Sequence, residues 1–306
     1  MAFKKVALVG ANGTLGTFIL KALLSAKIFN VTVLSRASSK STYSESVNIV
    51  TISDDASTEE LATALTGQDA VVVAFAGSII DLQLRLADAA VLAGVKRFIP
   101  ADFGSCDSSS PRALALMPLY VGKQKVRHYL QKLSGQSSLS WTSLVCGHFF
   151  DHGLESGLLG FDLAAKKAKI FDGGDINFST TTLDTIGRAV VQVLQKEEET
   201  KNRMLYIQSF GITQNELFNS LQKAMGQGWH AESVDSDVYI KSVKAETDKD
   251  PSNSTATEDL VGVVGVLEAN WESKDDFANS LLGLDGENLD QAVRQVCKDA
   301  SAHAAA

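Results

Sequence analysis

Two side chains that could move a proton stand three residues apart in the segment Tyr120-Val121-Gly122-Lys123. Residues at this spacing share one face of a helix, so the tyrosine hydroxyl and the lysine ammonium group could face one cleft. Gly122 between them indicates that the helix starts close to this point. A partly desolvated lysine has a lowered pKa and can exchange a proton near neutrality. Lys123 is therefore the candidate general acid or base, whereas Lys125 in the same run of charges is typical of a solvated face.

A second group of candidate residues follows a predicted strand at Trp141–Val145. His148 and His152 lie in this loop, where an imidazole could contact a substrate or carry a proton. Either histidine could instead be a structural residue, and both interpretations stay open. Phe149 and Phe150 between them would line an apolar pocket or belong to the core. These four residues are the candidate substrate contacts.

The element that must position these side chains is the start of the chain, where glycines recur as G-x-x-G-x-x-G at Gly10, Gly13 and Gly16. The apolar run Val6–Val9 before them predicts a buried strand. Apolar residues after them recur at helical spacing and predict an amphipathic helix. The glycines therefore occupy a tight turn between a strand and a helix.

This turn is suited to a diphosphate group. The first glycine permits a sharp turn, the second lets the backbone approach a phosphate, and the third allows close packing of helix on strand. The free N–H groups and the dipole at the helix start favour an anion. A dinucleotide site is the favoured interpretation and a purely structural turn is the alternative; the residues expected to contact the cofactor here are Gly10, Asn12, Gly13, Thr14, Leu15 and Gly16.

The end of the second predicted strand indicates which dinucleotide binds. An acidic residue about 20 positions after the glycine turn would bind the ribose of NAD. Arg36 stands there instead, and Lys40 follows it. A guanidinium group pairs well with a phosphate, so this position favours NADP or NADPH over NAD, although a solvated basic turn would look the same.

Residues 1–150 alternate predicted strands and helices, which is typical of a doubly wound parallel α/β sheet of the Rossmann type. The continuously apolar strand Ala70–Ala76 ends at Gly77, and a helix over Leu82–Ala93 carries Gln83 in its first turn. Ligands of such sheets bind at the carboxyl ends of the strands. Ala76, Gly77, Gln83 and Lys123 are therefore expected beside the cofactor.

Residues 151–306 show shorter and less regular segments, which predict a smaller α+β substrate-binding region interleaved with the first domain. Covering the carboxyl edge of the sheet would create a cleft for a second ligand. The polar stretch Glu246–Glu258 is expected to be a mobile loop, because little in it could pack. The alanine-rich end, residues 301–306, is expected to be a disordered tail.

Composition limits the possible partners. The chain has 306 residues, a formal net charge of −8 and no basic run longer than two residues, so nucleic acid and anionic membrane surfaces are disfavoured. Three scattered cysteines predict neither a disulfide framework nor a metal site. The N-terminus enters a strand at once, and no apolar run is long enough to span a bilayer, so we expect a cytoplasmic protein. We expect it to be a monomer or a homodimer.

The motifs GANGTLG, VLSR, VKRFIPADFG and KQKVR together resemble the NmrA-like atypical short-chain dehydrogenases, and among them the isoflavone reductase-like and phenylcoumaran benzylic ether reductase-like group, with a fungal member the best match. The resemblance covers residues 1–150 well and the remainder loosely. Asn12 replaces the threonine usual in the glycine turn, and Ala101-Asp102 stands where Ser-Glu is usual. The loop at residues 148–153 reads HFFDHG where plant reductases differ, so the plant substrates are not carried over.

The resemblance implies an NADPH-dependent reductase that transfers hydride to a small aromatic, phenylpropanoid- or isoflavonoid-like molecule. It makes Lys123, which opens a K-x-x-x-R motif closed by Arg127, the general acid or base. The main alternative is a non-catalytic NmrA-type redox sensor that binds a dinucleotide and a partner protein. An epimerase or dehydratase on the same fold is a weaker third possibility.

Overall fold

The structure is a computed structural model that describes residues 3–305. Its strands are β1 (Lys5–Val9), β2 (Asn30–Arg36), β3 (Asn48–Ile52), β4 (Ala70–Val73), β5 (Arg97–Ile99), β6 (Ser140–Val145), β7 (His148–Phe149), β8 (Phe161–Asp162), β9 (Lys167–Phe171), β10 (Phe178–Thr181), β11 (Arg203–Tyr206), β12 (Phe210–Ile212) and β13 (His230–Val234). Its α-helices are α1 (Thr14–Ser25), α2 (Thr58–Ala64), α3 (Ile80–Leu92), α4 (Pro111–Leu116), α5 (Pro118–Ser134), α6 (Phe150–Glu155), α7 (Leu183–Gln195), α8 (Gln214–Met225), α9 (Ser236–Lys249), α10 (Ser254–Glu268), α11 (Asn279–Leu282) and α12 (Leu289–Ala305).

The main sheet has seven strands in the order β11-β6-β5-β4-β1-β2-β3. All of its neighbouring strands pair in parallel, and Leu8 of β1 lies between Val33 of β2 and Val72 of β4. The strand order reverses direction between β1 and β4, which is where doubly wound sheets bind their ligands. This arrangement confirms the predicted fold.

Helices cover both faces of the sheet, which explains why its central strands are apolar along their whole length. On one face α1 and α7 bury Ile19 and Ile186 in a core shared with Leu8. On the other face α2, α3 and α5 bury a second set of apolar residues, among them Leu61 and Leu130.

The second half of the chain contributes to this sheet as well as forming its own core. Strand β11 pairs with β6, and α7 packs on the first core. Two small sheets, β12-β10-β7 and β13-β9-β8, belong with helices α4, α6, α8, α9, α10 and α12 to a separate cluster around Phe150 and Phe210, whereas α11 packs on the first core. Residues on both sides of position 150 therefore share the first core.

The expected loop at Glu246–Glu258 is wrong. Helix α9 continues to Lys249 and α10 begins at Ser254, so that residues 250–253 connect them. The Asn253 side chain caps α10 by accepting a hydrogen bond of 3.0 Å from the main-chain N–H of Ala256, and Ala256 itself is buried. Capping and burial of a few apolar residues thus stabilise a segment that composition alone marks as unstructured.

The expected disordered tail is also wrong over residues 301–305, which continue α12. Val293 and Val296 anchor this helix in the second core, and the alanines that follow have the highest intrinsic helix propensity. Residue 306 lies outside the described residues.

Candidate active site

The glycine turn follows β1 and starts α1. Gly10 has a φ of +89°, a conformation that strongly favours glycine, and a Cβ atom there would lie 2.7 Å from the main-chain nitrogen of Phe75. A Cβ atom on Gly16 would lie 1.9 Å from the Gly10 carbonyl oxygen. Gly13 precedes α1 and supplies no side-chain cap, so the first N–H groups of this helix remain available to a ligand. The turn therefore has the shape and donors that a phosphate group needs.

A cavity of about 350 Å³ opens beside this turn, at the carboxyl ends of β1 and β4. Strand β4 is shorter than expected: it ends at Val73, Ala74 makes a last main-chain hydrogen bond to Val9, and residues 74–77 line the cavity. The lining residues are Gly13, Thr14, Leu15, Ala74, Phe75, Ala76, Gly77, Ala101, Phe103, Lys123 and Phe149. A dinucleotide fits this set of residues, since the lining combines the main chain of the glycine turn with aromatic rings and an amine.

Several residues expected at the cofactor lie outside this lining. Asn12 is exposed in the turn. Gln83 is buried, and its Oε1 accepts a hydrogen bond of 2.9 Å from the main-chain N–H of Ala101. It therefore holds the loop that lines the cavity. Arg36 and Lys40 are exposed at and beyond the carboxyl end of β2, the strand next to β1.

Lys123 reaches the cavity from the second turn of α5. Its side chain is 9% exposed, and its Nζ donates a hydrogen bond to the main-chain carbonyl of Asp102. The alkyl chain passes over Gly77, where a Cβ atom would lie 2.8 Å from the lysine Cε. Burial lowers the pKa of Lys123, and the Asp102 carboxylate opposes this effect.

Tyr120 shares the helix with Lys123, but its hydroxyl group is engaged away from the cavity lining. The hydroxyl lies 2.6 Å from Ser105 Oγ and accepts a hydrogen bond of 3.2 Å from the Cys106 N–H. Burial raises its pKa well above the usual value. The helix begins at Pro118, so Gly122 lies inside it, where a Cβ atom would approach Ile80 to 2.7 Å. The hydroxyl of Tyr120 and the amine of Lys123 therefore bond to different groups, although the Tyr120 ring centroid lies 5.5 Å from the lysine Nζ.

Behind Lys123 lies a buried ion cluster. Arg127, one helical turn further on, donates to Asp102 Oδ2 from Nε at 3.1 Å and from Nη2 at 2.6 Å, and to Asp107 Oδ1 from Nη1 at 3.1 Å. Tyr206 donates to the other Asp107 oxygen at 2.7 Å. Burial disfavours the Arg127 charge, but the two carboxylates outweigh it and raise its pKa. Sequence reasoning missed this cluster, because its members are distant in the chain.

The four candidate substrate residues divide between the cavity, the core and the surface. Phe149 lines the cavity, whereas Phe150 is buried with its ring centroid 4.9 Å from that of Phe210. His148 is buried, its Nε2 lies 3.1 Å from the Gly262 carbonyl oxygen, and burial lowers its pKa to about 4. His152 is exposed.

Two aromatic residues of the cavity wall, Phe75 and Phe103, were not among the site residues predicted from sequence. Phe75 follows β4 and Phe103 follows β5, so both residues lie at the carboxyl edge of the sheet. Their positions just after strand ends are a signal that could have identified them.

The NmrA-like family model matches residues 2–257. This chain belongs to the NmrA-like family. It is 32% identical over 304 residues to the oxidoreductase aprR of Aspergillus flavus, with 96% of this chain and 99% of that protein covered. The family membership and the fungal relative confirm the resemblance drawn from the motifs.

Two solved structures show the same fold. AtPrR2 with NADP⁺ and (+)pinoresinol superposes with a TM-score of 0.76 at 22% identity, covering 97% of this chain and 99% of that one. Isoflavone reductase has a TM-score of 0.76 at 19% identity, covering 96% and 99% of the two chains. The NmrA-like chain therefore shares the fold of both proteins over nearly all of its length.

Two further findings concern residues 3–305. Within this range, no group of three or more His, Cys, Asp or Glu side chains is arranged to hold a metal ion. Nor does any helix of the described chain have the length and apolar character needed to cross a membrane.

Proposed function

We propose that this NmrA-like protein is an NADPH-dependent reductase of small aromatic, phenylpropanoid- or isoflavonoid-like molecules, with Lys123 as its general acid or base. The observation that carries this proposal is the buried Lys123 amine in the wall of a cavity that begins at the glycine turn. A dinucleotide site with no proton-handling group would suit a sensor, whereas a desolvated amine beside it suits catalysis. The relative aprR is itself named an oxidoreductase.

The cofactor would lie along the cavity from the glycine turn towards Lys123. The N–H groups at the start of α1 would bind the diphosphate, and Arg36 with Lys40 would bind the 2′-phosphate. Gly10 and Gly16 would keep the turn tight, and Gln83 would hold the Ala101 wall. NADP⁺ in the structure of AtPrR2, which has the same fold, supports this choice of cofactor.

Bound NADPH would supply the hydride, and Lys123 would manage the accompanying proton. The ammonium form of Lys123 would donate its proton to the substrate atom that gains negative charge. Burial makes this donation easier, because it disfavours the charged form of the amine. Phe75, Phe103 and Phe149 would exclude water and contact an aromatic ring.

The experiment that tests this function measures NADPH binding and NADPH consumption separately. Purified protein would be given a panel of aromatic ketones, enones and benzylic ethers of the lignan type. We expect turnover with at least one of these classes, and a turnover rate at least about 100-fold lower in Lys123→Met. The matched control is Lys125→Met, an exposed lysine on the same helix, which should stay close to the parent rate.

Two results would contradict the proposal. Tight NADPH binding without turnover of any panel member would favour the redox-sensor function. An unchanged turnover rate in Lys123→Met would remove this residue from catalysis while leaving the reductase assignment in place.

The cofactor assignment has its own test. Arg36→Ala should weaken NADPH binding by about ten- to a hundredfold and leave NADH binding nearly unchanged, because a charge-assisted phosphate contact is lost. Lys27→Ala, an exposed lysine before the amino end of β2, is the control. Equal losses for the two cofactors would contradict a 2′-phosphate site at Arg36.

A further inference from the structure

Asp102 bonds to the two cations of the K-x-x-x-R motif through different groups. Its main-chain carbonyl accepts from Lys123 Nζ, and its carboxylate Oδ2 accepts from both Nε and Nη2 of Arg127. It follows β5 at the carboxyl edge of the sheet, whereas Lys123 and Arg127 belong to α5. One loop residue therefore fixes the catalytic amine relative to the sheet.

We propose that Asp102, clamped by Arg127, is the positioning residue for Lys123: its carbonyl holds Nζ at the wall of the cavity, and its carboxylate favours the ammonium form. This inference rests on the proposed function of Lys123 as proton donor. Asp102 does not line the cavity next to the glycine turn, so it acts through the lysine rather than on the substrate.

The Arg127 guanidinium group that binds the Asp102 carboxylate is itself fixed by further hydrogen bonds, which makes the position of Asp102 rigid. Arg127 Nη1 donates to Asp107, and Asp107 in turn accepts from Tyr206 at 2.7 Å and from the Ser109 N–H at 2.9 Å. Asp102 and Arg127 are 3% and 6% exposed, so water screens their interaction weakly. A guanidinium group fixed by two carboxylates cannot turn without breaking charge-assisted bonds.

The charges around Lys123 support an electrostatic role for this carboxylate. Burial opposes the ammonium charge, and Asp102 is the strongest group that favours it. The Cys146 and Cys106 thiols also lie close by, but burial raises their pKa values and keeps them uncharged. Arg127 acts against the ammonium charge, and the Tyr120 ring centroid lies 5.5 Å from Nζ. The cations Lys123 and Arg127 thus lie beside the carboxylates of Asp102 and Asp107. Loss of the Asp102 charge would leave an excess of positive charge next to Lys123.

One oxygen of Asp102 distinguishes this cluster from an ordinary structural ion pair. Oδ1 is buried and has no hydrogen-bond partner among the described residues. Leaving a buried carboxylate oxygen unpaired is costly, and such costs are typical of functional sites.

The test measures the ionisation of Lys123 directly, in the full-length protein without cofactor or substrate. Lysine labelled with ¹³C and ¹⁵N would be incorporated, and the Lys123 signal would be assigned by its disappearance in Lys123→Met. A pH titration by NMR then gives its pKa in the parent and in Asp102→Asn. We expect the pKa of Lys123 to be lower in Asp102→Asn than in the parent, because an opposing negative charge has been removed.

The matched control is Asp276→Asn. Asp276 Oδ1 accepts from Nε and Nη2 of Arg203 at 3.2 and 2.6 Å, which is the same bonding pattern at a half-exposed site, and Asp276 is not among the main groups that act on the Lys123 charge. This variant should leave the pKa of Lys123 unchanged. A purely structural role for Asp102 would move the folding midpoint without moving the titration, and an unchanged Lys123 pKa in folded Asp102→Asn would overturn the proposal.

Asp102→Asn leaves the buried Arg127 charge without one of its carboxylate partners, which could prevent folding, so a second variant is needed. Asp102→Asn with Arg127→Gln removes both charges together. Because Asp102 affects Lys123 more strongly than Arg127 does, the pKa of Lys123 should still fall below that of the parent. A rise or no change would contradict the proposed role.

Catalysis adds an independent readout that separates the two proposals. If a substrate is found, the high-pH limb of the turnover rate for reduction should move to lower pH in Asp102→Asn, and the dissociation constant of NADPH should change less than about threefold. A lysine titration that responds to Asp102 in a protein without reductase activity would refute the function and keep the positioning role. If the protein turns over a substrate but neither the Lys123 titration nor the pH profile changes in Asp102→Asn, the reductase function is kept and the positioning role of Asp102 is refuted.

Discussion

A Cβ atom placed on Gly16 would lie 1.9 Å from the main-chain carbonyl oxygen of Gly10, so strand and helix meet here without room for a side chain. We therefore expect Gly16→Ala to force α1 away from β1 and to destabilise the fold by about 1–3 kcal/mol. NADPH affinity should fall by more than about tenfold, because the N–H groups at the helix start move with α1. Thermal denaturation and a binding titration check both effects.

The control for this change is Gly135→Ala at the end of α5. A Cβ atom there would have its nearest contact at 3.6 Å, an ordinary van der Waals distance, and the residue has a φ of −77° that alanine adopts freely. This variant should bind NADPH like the parent. Equal behaviour of the two variants would show that close packing at Gly16 does not matter for the cofactor.

Tyr120 gives a prediction that separates this protein from dehydrogenases that use a tyrosine as proton donor. Its hydroxyl group bonds to Ser105 and to the Cys106 N–H rather than facing the cavity. Tyr120→Phe should therefore keep the turnover rate close to the parent value and lose about 1 kcal/mol of stability with the hydrogen bonds. If the folded variant instead turned over about 100-fold more slowly than the parent, Tyr120 would be catalytic.

The local features of the site were predictable from sequence, and its long-range features were not. The spacing of Gly10 and Gly16 predicts a strand, a turn and a helix because the pattern is contained within a few residues. The same is true of the position of Lys123 one turn before Arg127. The partner of Tyr120 and the clamp on Asp102 depend on how the loop after β5 folds over α5, which no local pattern records.

The burial of His148 is a second feature that sequence position alone could not predict. Position alone left a cleft contact and a structural role both open. Helix α10 covers the side chain: a Cβ atom on Gly265 would lie 2.2 Å from His148 Nε2, and the Gly262 carbonyl accepts its hydrogen bond across 114 residues of chain. The two glycines let the helix approach strand β7. Only the tertiary packing of α10 reveals this.

The buried imidazole of His148 predicts an acid sensitivity of the fold. Its pKa is lowered to about 4 in the folded protein by burial, from 6.5 when exposed. Above pH 6.5 neither the folded nor the unfolded protein protonates this imidazole, so His148 does not lower the free energy of unfolding. As the pH falls from 6.5 towards 4, only the unfolded protein binds the proton, and the free energy of unfolding decreases. The loss over this window is up to about 3 kcal/mol.

Urea unfolding at a series of pH values checks this effect. His148→Gln, which has no titrating ring, should show a shallower fall in the free energy of unfolding between pH 6.5 and 4 than the parent. His152→Gln at an exposed site is the control and should keep the parent slope. An identical slope in His148→Gln would mean that other groups cause the acid sensitivity.

Phe149 and Phe150 are neighbours in sequence and should respond to truncation in opposite ways. Phe149 lines the cavity and is only partly buried against the first core, so Phe149→Ala should raise the KM of an aromatic substrate and cost less stability than Phe150→Ala. Phe150 is fully buried against Phe210, so Phe150→Ala should lose about 3–5 kcal/mol of stability. Steady-state kinetics and urea unfolding of both variants distinguish these effects, since one aromatic ring is removed in each. A large loss of stability in Phe149→Ala with an unchanged KM would place that ring in the core and not in the substrate site.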